Sequence, residues 1–284
     1  MRDVRNRQQA LLAAALFCAV ARCFADSDAV ARELLELKHL EGQLLEEKAD
    51  EREWKKLEAR YAALIERNPK NVPVREARGI FLWSRNEHEG AIREWLAAVR
   101  LEPRNVVMLD RVAGAYLEVG DPRTALEYYL RATEGAPGNA QSHFGAANIA
   151  SLFRHSVGRT EEQCFDLAIK HFAEAHRLSP QNREYARGYA ELFYTLPNPD
   201  WQAALAAWKS YLNLASEKSF AYTNLARVHM KLGDAKSARD CLKQVTGVEY
   251  EKVKNRLLAR IDAELSEGKE SDLVQDEKNV ETRD

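Results

Sequence analysis

Three stretches decide the fold when set beneath one another: AIREWLAAVRLEPRN at 91–105, ALEYYLRATEGAPGN at 125–139 and AIKHFAEAHRLSPQN at 168–182. Each opens on alanine, carries an aromatic ring four residues later, returns to alanine after three more, and closes on x-Pro-x-Asn. The three sets are Ala91, Trp95 and Ala98; Ala125, Tyr129 and Ala132; Ala168, Phe172 and Ala175. Steps of four and three put each set on one helical face. The small members let two helices approach, and the ring fills the gap between neighbouring units. A residue before proline is pushed out of the helical region, so each x-Pro-x-Asn ends a helix.

The same closing signature stands at Pro69, and Pro69, Pro103 and Pro137 follow at intervals of 34 residues. Pro180 comes 43 residues after Pro137, one period plus nine. Upstream halves repeat too, as Gly79 and Leu82, Ala113 and Tyr116, Ala147 and Ala150, Ala190 and Phe193. Fixed periods of this size are the mark of stacked helical units. In these residues the chain resembles the tetratricopeptide-repeat (TPR) family over about residues 38–252. The resemblance implies an all-α, right-handed superhelical solenoid of antiparallel helix pairs. Six repeats are expected at 38–71, 72–105, 106–139, 140–182, 183–218 and 219–252. The first is degenerate, with Leu57, Tyr61 and Leu64; the fifth has Ala204, Trp208 and Tyr211 but lacks the closing proline.

Turn residues mark the same boundaries. Gly120-Asp121-Pro122 and Gly233-Asp234 pair a terminating glycine with an aspartate N-cap, and Pro122 suits the first helical position. Thr160 to Gln163 has capping-box spacing, and Asn198-Pro199 is expected to open the second helix of repeat five. The apolar stripe Val30, Leu34, Leu37, Leu40 and Leu44 reads as an N-terminal cap or as a dimerising seam. Val253, Leu257, Leu258, Ile261 and Leu265 predict a capping helix at 250–265, and the charge-rich 266–284 predicts a disordered tail.

Residues 1–25 follow different rules. Arg2, Arg5 and Arg7 precede an uncharged apolar run from Ala10 to Ala21, and small residues follow at Ala19-Val20-Ala21 and Cys23-Phe24-Ala25. That is the layout of a secretory signal peptide, too short for a comfortable membrane span. The mature chain, 26–265 plus tail, is then expected to be exported, periplasmic or secreted, with the membrane met only through an uncleaved signal segment. Arg22 ahead of Cys23 disfavours a lipoprotein anchor. Cleavage removes four arginines and one aspartate, moving the formal charge from −2 to −5. Nothing in that balance points to nucleic acid. Only Cys164 and Cys241 remain, too few for a disulfide framework.

Chemistry is hard to find in this sequence. The seven histidines include no pair three or four residues apart, and His171 and His176 sit on different helical faces. Cys164 and His171 are two helical turns apart, beyond nucleophile–base reach. No phosphate loop, nucleophile elbow or zinc-protease signature occurs. No cofactor is expected and catalysis is unsupported. The resemblance instead implies a concave groove lined by first helices. That lining takes Glu76, Ile80 and Trp83; Asp110, Arg111, Gly114 and Leu117; Phe144, Asn148 and Leu152. Farther on it takes Arg187, Glu191, Tyr194, Thr223, Asn224, Arg227 and Lys231. Ile80, Phe144 and Tyr194 read equally well as packing between repeats. The family's carboxylate clamp is only fragmentary in Arg187 and Asn224, and Glu191 would repel a carboxylate. The expected function is a non-catalytic scaffold or adaptor of the bacterial cell envelope, gripping a peptide segment or helix of a protein partner. A structural homo-oligomer, or an accessory subunit of an enzyme or secretion complex, is the alternative. The insertion at 153–162 reads first as a lengthened helix pair joined by a passive loop, and second as a finger projecting Phe153, Arg154, His155 and Arg159.

Overall fold

The computed structural model describes residues 28–281, with the side chains of 28–266, and the segment read as a signal peptide lies outside them. Thirteen helices and no strand occur among the described residues. Helix α1 covers 28–46, followed by α2 (Glu51–Arg67), α3 (Val72–Ser84), α4 (His88–Leu101) and α5 (Val106–Glu118). Next come α6 (Pro122–Gly135), α7 (Ala140–Leu152), α8 (Glu161–Leu178), α9 (Arg183–Leu192) and α10 (Trp201–Leu214). The last are α11 (Ser219–Lys231), α12 (Ala235–Lys243) and α13 (Val248–Glu281). The chain falls into two compact units that divide between Val119 and Gly120.

Each x-Pro-x-Asn both stops one helix and starts the next. The asparagine N–H donates back across the proline turn: Asn71 to Asn68 O, Asn105 to Glu102 O, Asn139 to Ala136 O and Asn182 to Ser179 O, all at 3.0 Å. Its side-chain oxygen then accepts from the first turn ahead, as Asn71 does from Val74 N at 3.1 Å and Asn182 from Glu184 N at 2.9 Å. Such caps contribute about 1 kcal/mol each. Between the helices of a pair, Gly120 and Gly233 take positive φ, and Asn86 (φ 63°) fills that place between α3 and α4. Asp121, Asp200 and Asp234 cap the helices that follow. In repeat five the cap is thus Asp200, which corrects the start expected at Asn198-Pro199.

In the first unit, Leu37 and Leu44 of α1 are buried together with Trp54, Leu57, Tyr61 and Leu64 of α2. The N-terminal stripe is therefore spent on intramolecular packing, and its helix begins well ahead of residue 38. Tyr61 stacks on Phe81 of α3 with ring centroids 5.2 Å apart. Between α3 and α4, Glu94 accepts from Arg75 at 2.8 Å and from Arg78 at 2.6 Å, a largely buried ion triplet. Gly79 lies so close to the Trp95 indole that a Cβ built there would stand 2.2 Å from Nε1. That indole is pinned, because Nε1 donates to Glu76 O at 3.2 Å.

The second unit repeats this device. A Cβ at Gly145 would meet the Tyr129 ring at 2.5 Å, and one at Gly188 the Phe172 ring at 2.6 Å. The nine extra residues of repeat four are shared between two places. Helix α8 has 18 residues where α4, α6 and α10 have 14, and the connection from α7 takes the rest. Thr160 and Gln163 close the expected capping box at 3.1 and 3.2 Å. At the far end, Leu257 and Ile261 of α13 pack on Ala226, Ala238, Leu242 and Val245. Helix α13 overruns the expected 250–265 and continues to Glu281, which corrects the disordered tail over 266–281. That stretch lacks proline and carries four Glu and two Lys, residues that extend a helix once packing has nucleated it.

These contacts fix the sign of a small substitution. An alanine in an exposed helix normally gains up to about 1 kcal/mol over glycine. Gly42→Ala, where nothing lies within 4 Å of the new Cβ, is expected to show that gain in urea melts. Gly79→Ala is expected to lose about 1–3 kcal/mol, because the pinned indole must move.

Candidate functional site

On the first unit the expected lining forms a connected surface. Glu76, Ile80 and Trp83 follow one another along one face of α3. Glu76 accepts from Arg111 of α5 at 2.8 Å, and the Arg111 guanidinium lies 5.7 Å from the Trp95 ring. Trp83 packs with ring centroids 4.2 Å from His88 and 5.5 Å from Trp95. Ile80 is 37% exposed, while Asp110 and Leu117 are half-buried. The result is an apolar and aromatic surface with one salt bridge across it.

On the second unit three expected lining residues turn inward, among them Thr223, which is buried and donates its hydroxyl to Ser219 O at 2.7 Å. Phe144 is buried, 4.6 Å from the Tyr185 ring and 5.8 Å from Phe172, so it packs α7 against α8 and α9. Asn224 is 3% exposed. Its amide nitrogen donates to Phe220 O at 2.9 Å, and its oxygen accepts from Arg227 at 3.0 Å. All three are corrections to the lining. Asn148 stays half-buried. Arg187 is exposed, paired with Glu191 at 2.8 Å and lying 5.0 Å from the Phe220 ring. With Asn224 buried and Arg187 paired, the carboxylate-clamp fragments do not converge.

The remaining three lining residues meet at one place. Tyr194, at the end of α9, donates its hydroxyl to Asn224 O at 3.0 Å, and burial raises its pKa, so the donor keeps its proton. Arg227 and Lys231 stand one turn apart on α11. Together with Met230 of α11 and Arg256, Leu257 and Arg260 of α13, these three line a cavity of about 340 Å³. Sequence reasoning assigned Arg256, Leu257 and Arg260 to a cap and gave them no part in a site.

The insertion is a lengthened α8 and a connecting loop, the first of the two readings, with Phe153, His155 and Arg159 exposed. Arg154 and His155 both reach Glu161, at 3.3 and 3.5 Å, and Val157 is buried. Cys164 is buried and its thiol donates to Arg154 O at 3.7 Å, tying the loop to α8. Among the described residues no group of three or more His, Cys, Asp or Glu is placed to hold a metal ion. Likewise, no described helix is long and apolar enough to cross a membrane.

One buried polar pair was not legible in the sequence. His143 of α7 and His171 of α8 face each other with Nδ1 atoms 2.8 Å apart, and His143 Nε2 lies 3.1 Å from Pro137 O. One ring must donate and the other accept, so two imidazolium ions do not fit. Burial, then the neighbouring His143, pushes the His171 pKa down to about 4 from 6.5, while Lys170 opposes and Glu174 favours its charge. A depressed histidine stabilises the fold above its unfolded pKa and loses that contribution as pH falls toward the folded one. Stability to urea is therefore expected to drop by roughly 1–2 kcal/mol between about pH 6.5 and 4 through this pair. His171→Asn, a neutral hydrogen-bonding replacement, is expected to flatten that slope; an unchanged slope places the acid sensitivity elsewhere.

Comparison with known proteins agrees with this architecture. Tetratricopeptide-repeat models match residues 58–105 and 221–251. No curated protein matches the chain in sequence. Among solved structures, YrrB, described as a TPR protein with an unusual peptide-binding site, superposes with a TM-score of 0.53 at 14% identity. That match covers 64% of this chain and 89% of YrrB. The MamA protein gives 0.52 at 16% identity, covering 65% of this chain and 94% of its own. Pseudomonas aeruginosa pilF gives 0.54 at 13%, over 83% and 99%. Helix pairs, small-over-aromatic crossings and the two direct matches converge on one conclusion: the chain carries tetratricopeptide repeats, at residues 58–105 and 221–251, within an all-α fold shared with these solved structures.

Proposed function

We propose that this chain is a non-catalytic interaction scaffold that holds a peptide segment or helix of a partner protein against its first helices. The observation that carries this reading is the set of large side chains left at the surface beside arginines, on α3 and around α9 and α11. On the second helices the large rings are consumed in packing, as Trp95, Phe172 and Trp208 are, all nearly inaccessible. The first helices keep large side chains at the surface: Ile80 and Tyr194 are each 37% exposed, with Trp83 half-buried between them in kind. Amphipathic aromatics and arginines on a rigid helical support are the usual anchors of protein recognition. The peptide-binding site of YrrB supports the same use of the fold. The basic, then apolar, then small-residue order of residues 1–25 supports export to the cell envelope.

The test is a peptide-display selection against residues 26–284, followed by hydrogen exchange of the complex. Slowed exchange is expected in α3, α5, α7, α9 and α11. Protection confined to second helices, or no peptide enriched above a blank support, contradicts the reading.

A further inference from the structure

We propose that the cavity between Tyr194, just beyond α9, the last turns of α11 and the body of α13 is a recognition site for an acidic protein segment carrying an apolar anchor. This deepens the scaffold reading and rests on it. Seven residues line the cavity, and four are cations: Arg227 and Lys231 from α11, Arg256 and Arg260 from α13. The other three, Tyr194, Met230 and Leu257, supply an apolar floor. No carboxylate lines it among the described residues. The contrast with the rest of the second unit is sharp. The hollow beside α8 is lined by Glu161, Glu162 and Asp166, and the one beside α9 and α10 mixes arginines with Glu184 and Glu217.

The four cations are only weakly neutralised by the fold. Arg227 donates to the uncharged amide of Asn224, and the Lys231 ammonium lies 5.8 Å from the Trp201 ring. Arg260 pairs with Glu264 at 2.8 Å, an exposed contact of the kind that contributes little and exchanges readily. Like charges gathered around one hollow repel each other, and an anionic occupant relieves that repulsion. A chain whose formal charge without residues 1–25 is −5 therefore presents a local positive field. Such a field steers acidic partners in and rejects basic ones.

The floor selects the class of anion. Met230, Leu257 and the Tyr194 ring offer apolar surface within reach of all four cations. A phosphate or a nucleic-acid backbone leaves that surface unfilled. A segment with Asp or Glu on either side of a Leu or Phe satisfies both halves, and about 340 Å³ accommodates one large side chain with its neighbours. Two of the cations come from α13, so the terminal capping helix is itself part of the site.

Fluorescence anisotropy tests this with a labelled synthetic peptide in which Glu and Asp flank a central Leu-Phe pair. Its twin carries Lys and Arg in place of every acid. The acidic peptide is expected to bind and the basic twin to fail. Arg256→Glu with Arg260→Glu is expected to weaken binding by on the order of tenfold or more. Both positions are exposed, so an unchanged thermal melt will show the fold intact, and Arg123→Glu with Arg131→Glu, both exposed elsewhere on the same unit, is the charge-matched control. Equal binding of the twin, or no loss in the double variant, overturns the proposal. So does a single-stranded oligodeoxynucleotide that binds as tightly with the same dependence on Arg256, because charge alone is then being read. If display-selected peptides still protect first helices while any of these holds, the scaffold reading stands and only this site falls.

Discussion

A ring pressed onto a residue without a side chain sets the spacing of this protein. Trp95 covers Gly79, Tyr129 covers Gly145 and Phe172 covers Gly188, in each case too closely for even a Cβ to fit. The interaction joins two requirements that a helical array must meet together. Helices must approach closely enough to exclude water, and the space left by the small residue must be filled at interior density. An aromatic ring does both, with a large buried area per side chain. Because the rings come from second helices, those helices are committed to the interior. The outward side of each first helix is then free to differ from repeat to repeat, which is where Ile80, Arg187, Tyr194 and Lys231 stand.

The caps make the array repeatable. A single x-Pro-x-Asn ends one helix through proline's effect on the residue before it. It begins the next through the asparagine side chain, so the connection is short and its geometry is fixed by four residues. Where the period breaks, the fold absorbs the excess as extra helix in α8 and a loop held by Val157 and Cys164. His143 and His171 meet on the α7–α8 crossing at the repeat positions that Arg75 and Glu94 hold on the α3–α4 crossing. Repeat four thus holds a histidine pair where repeat two holds an ion pair.

Periodicity made the helices, their order and their small and aromatic positions legible, because those depend on spacing along one chain. What escaped depends on rotation and on neighbours. Phe144 read equally well as lining or as packing, and Tyr185 of the following repeat decides it by closing over the ring. Asn224 has the polarity of a surface residue, yet its hydrogen bonds are taken by its own helix and by Arg227. Arg154 and His155 promised a positive projection, and a single carboxylate, Glu161, draws both back. Arg256 and Arg260 were invisible as site residues because their partners across the cavity, Arg227 and Lys231, lie roughly thirty positions earlier. Their proximity is a product of the fold.

A double-mutant cycle at Gly145 and Tyr129 measures the governing contact directly, since the three atoms nearest a Cβ at Gly145 all belong to that ring. In the parent background, Gly145→Ala is expected to destabilise by about 1–3 kcal/mol. With Tyr129→Ala already in place the same change is expected to be neutral, or to stabilise by up to about 1 kcal/mol through helix propensity. A coupling energy above about 1 kcal/mol supports the view that ring-on-glycine contact sets the spacing. Additivity within about 0.5 kcal/mol contradicts it.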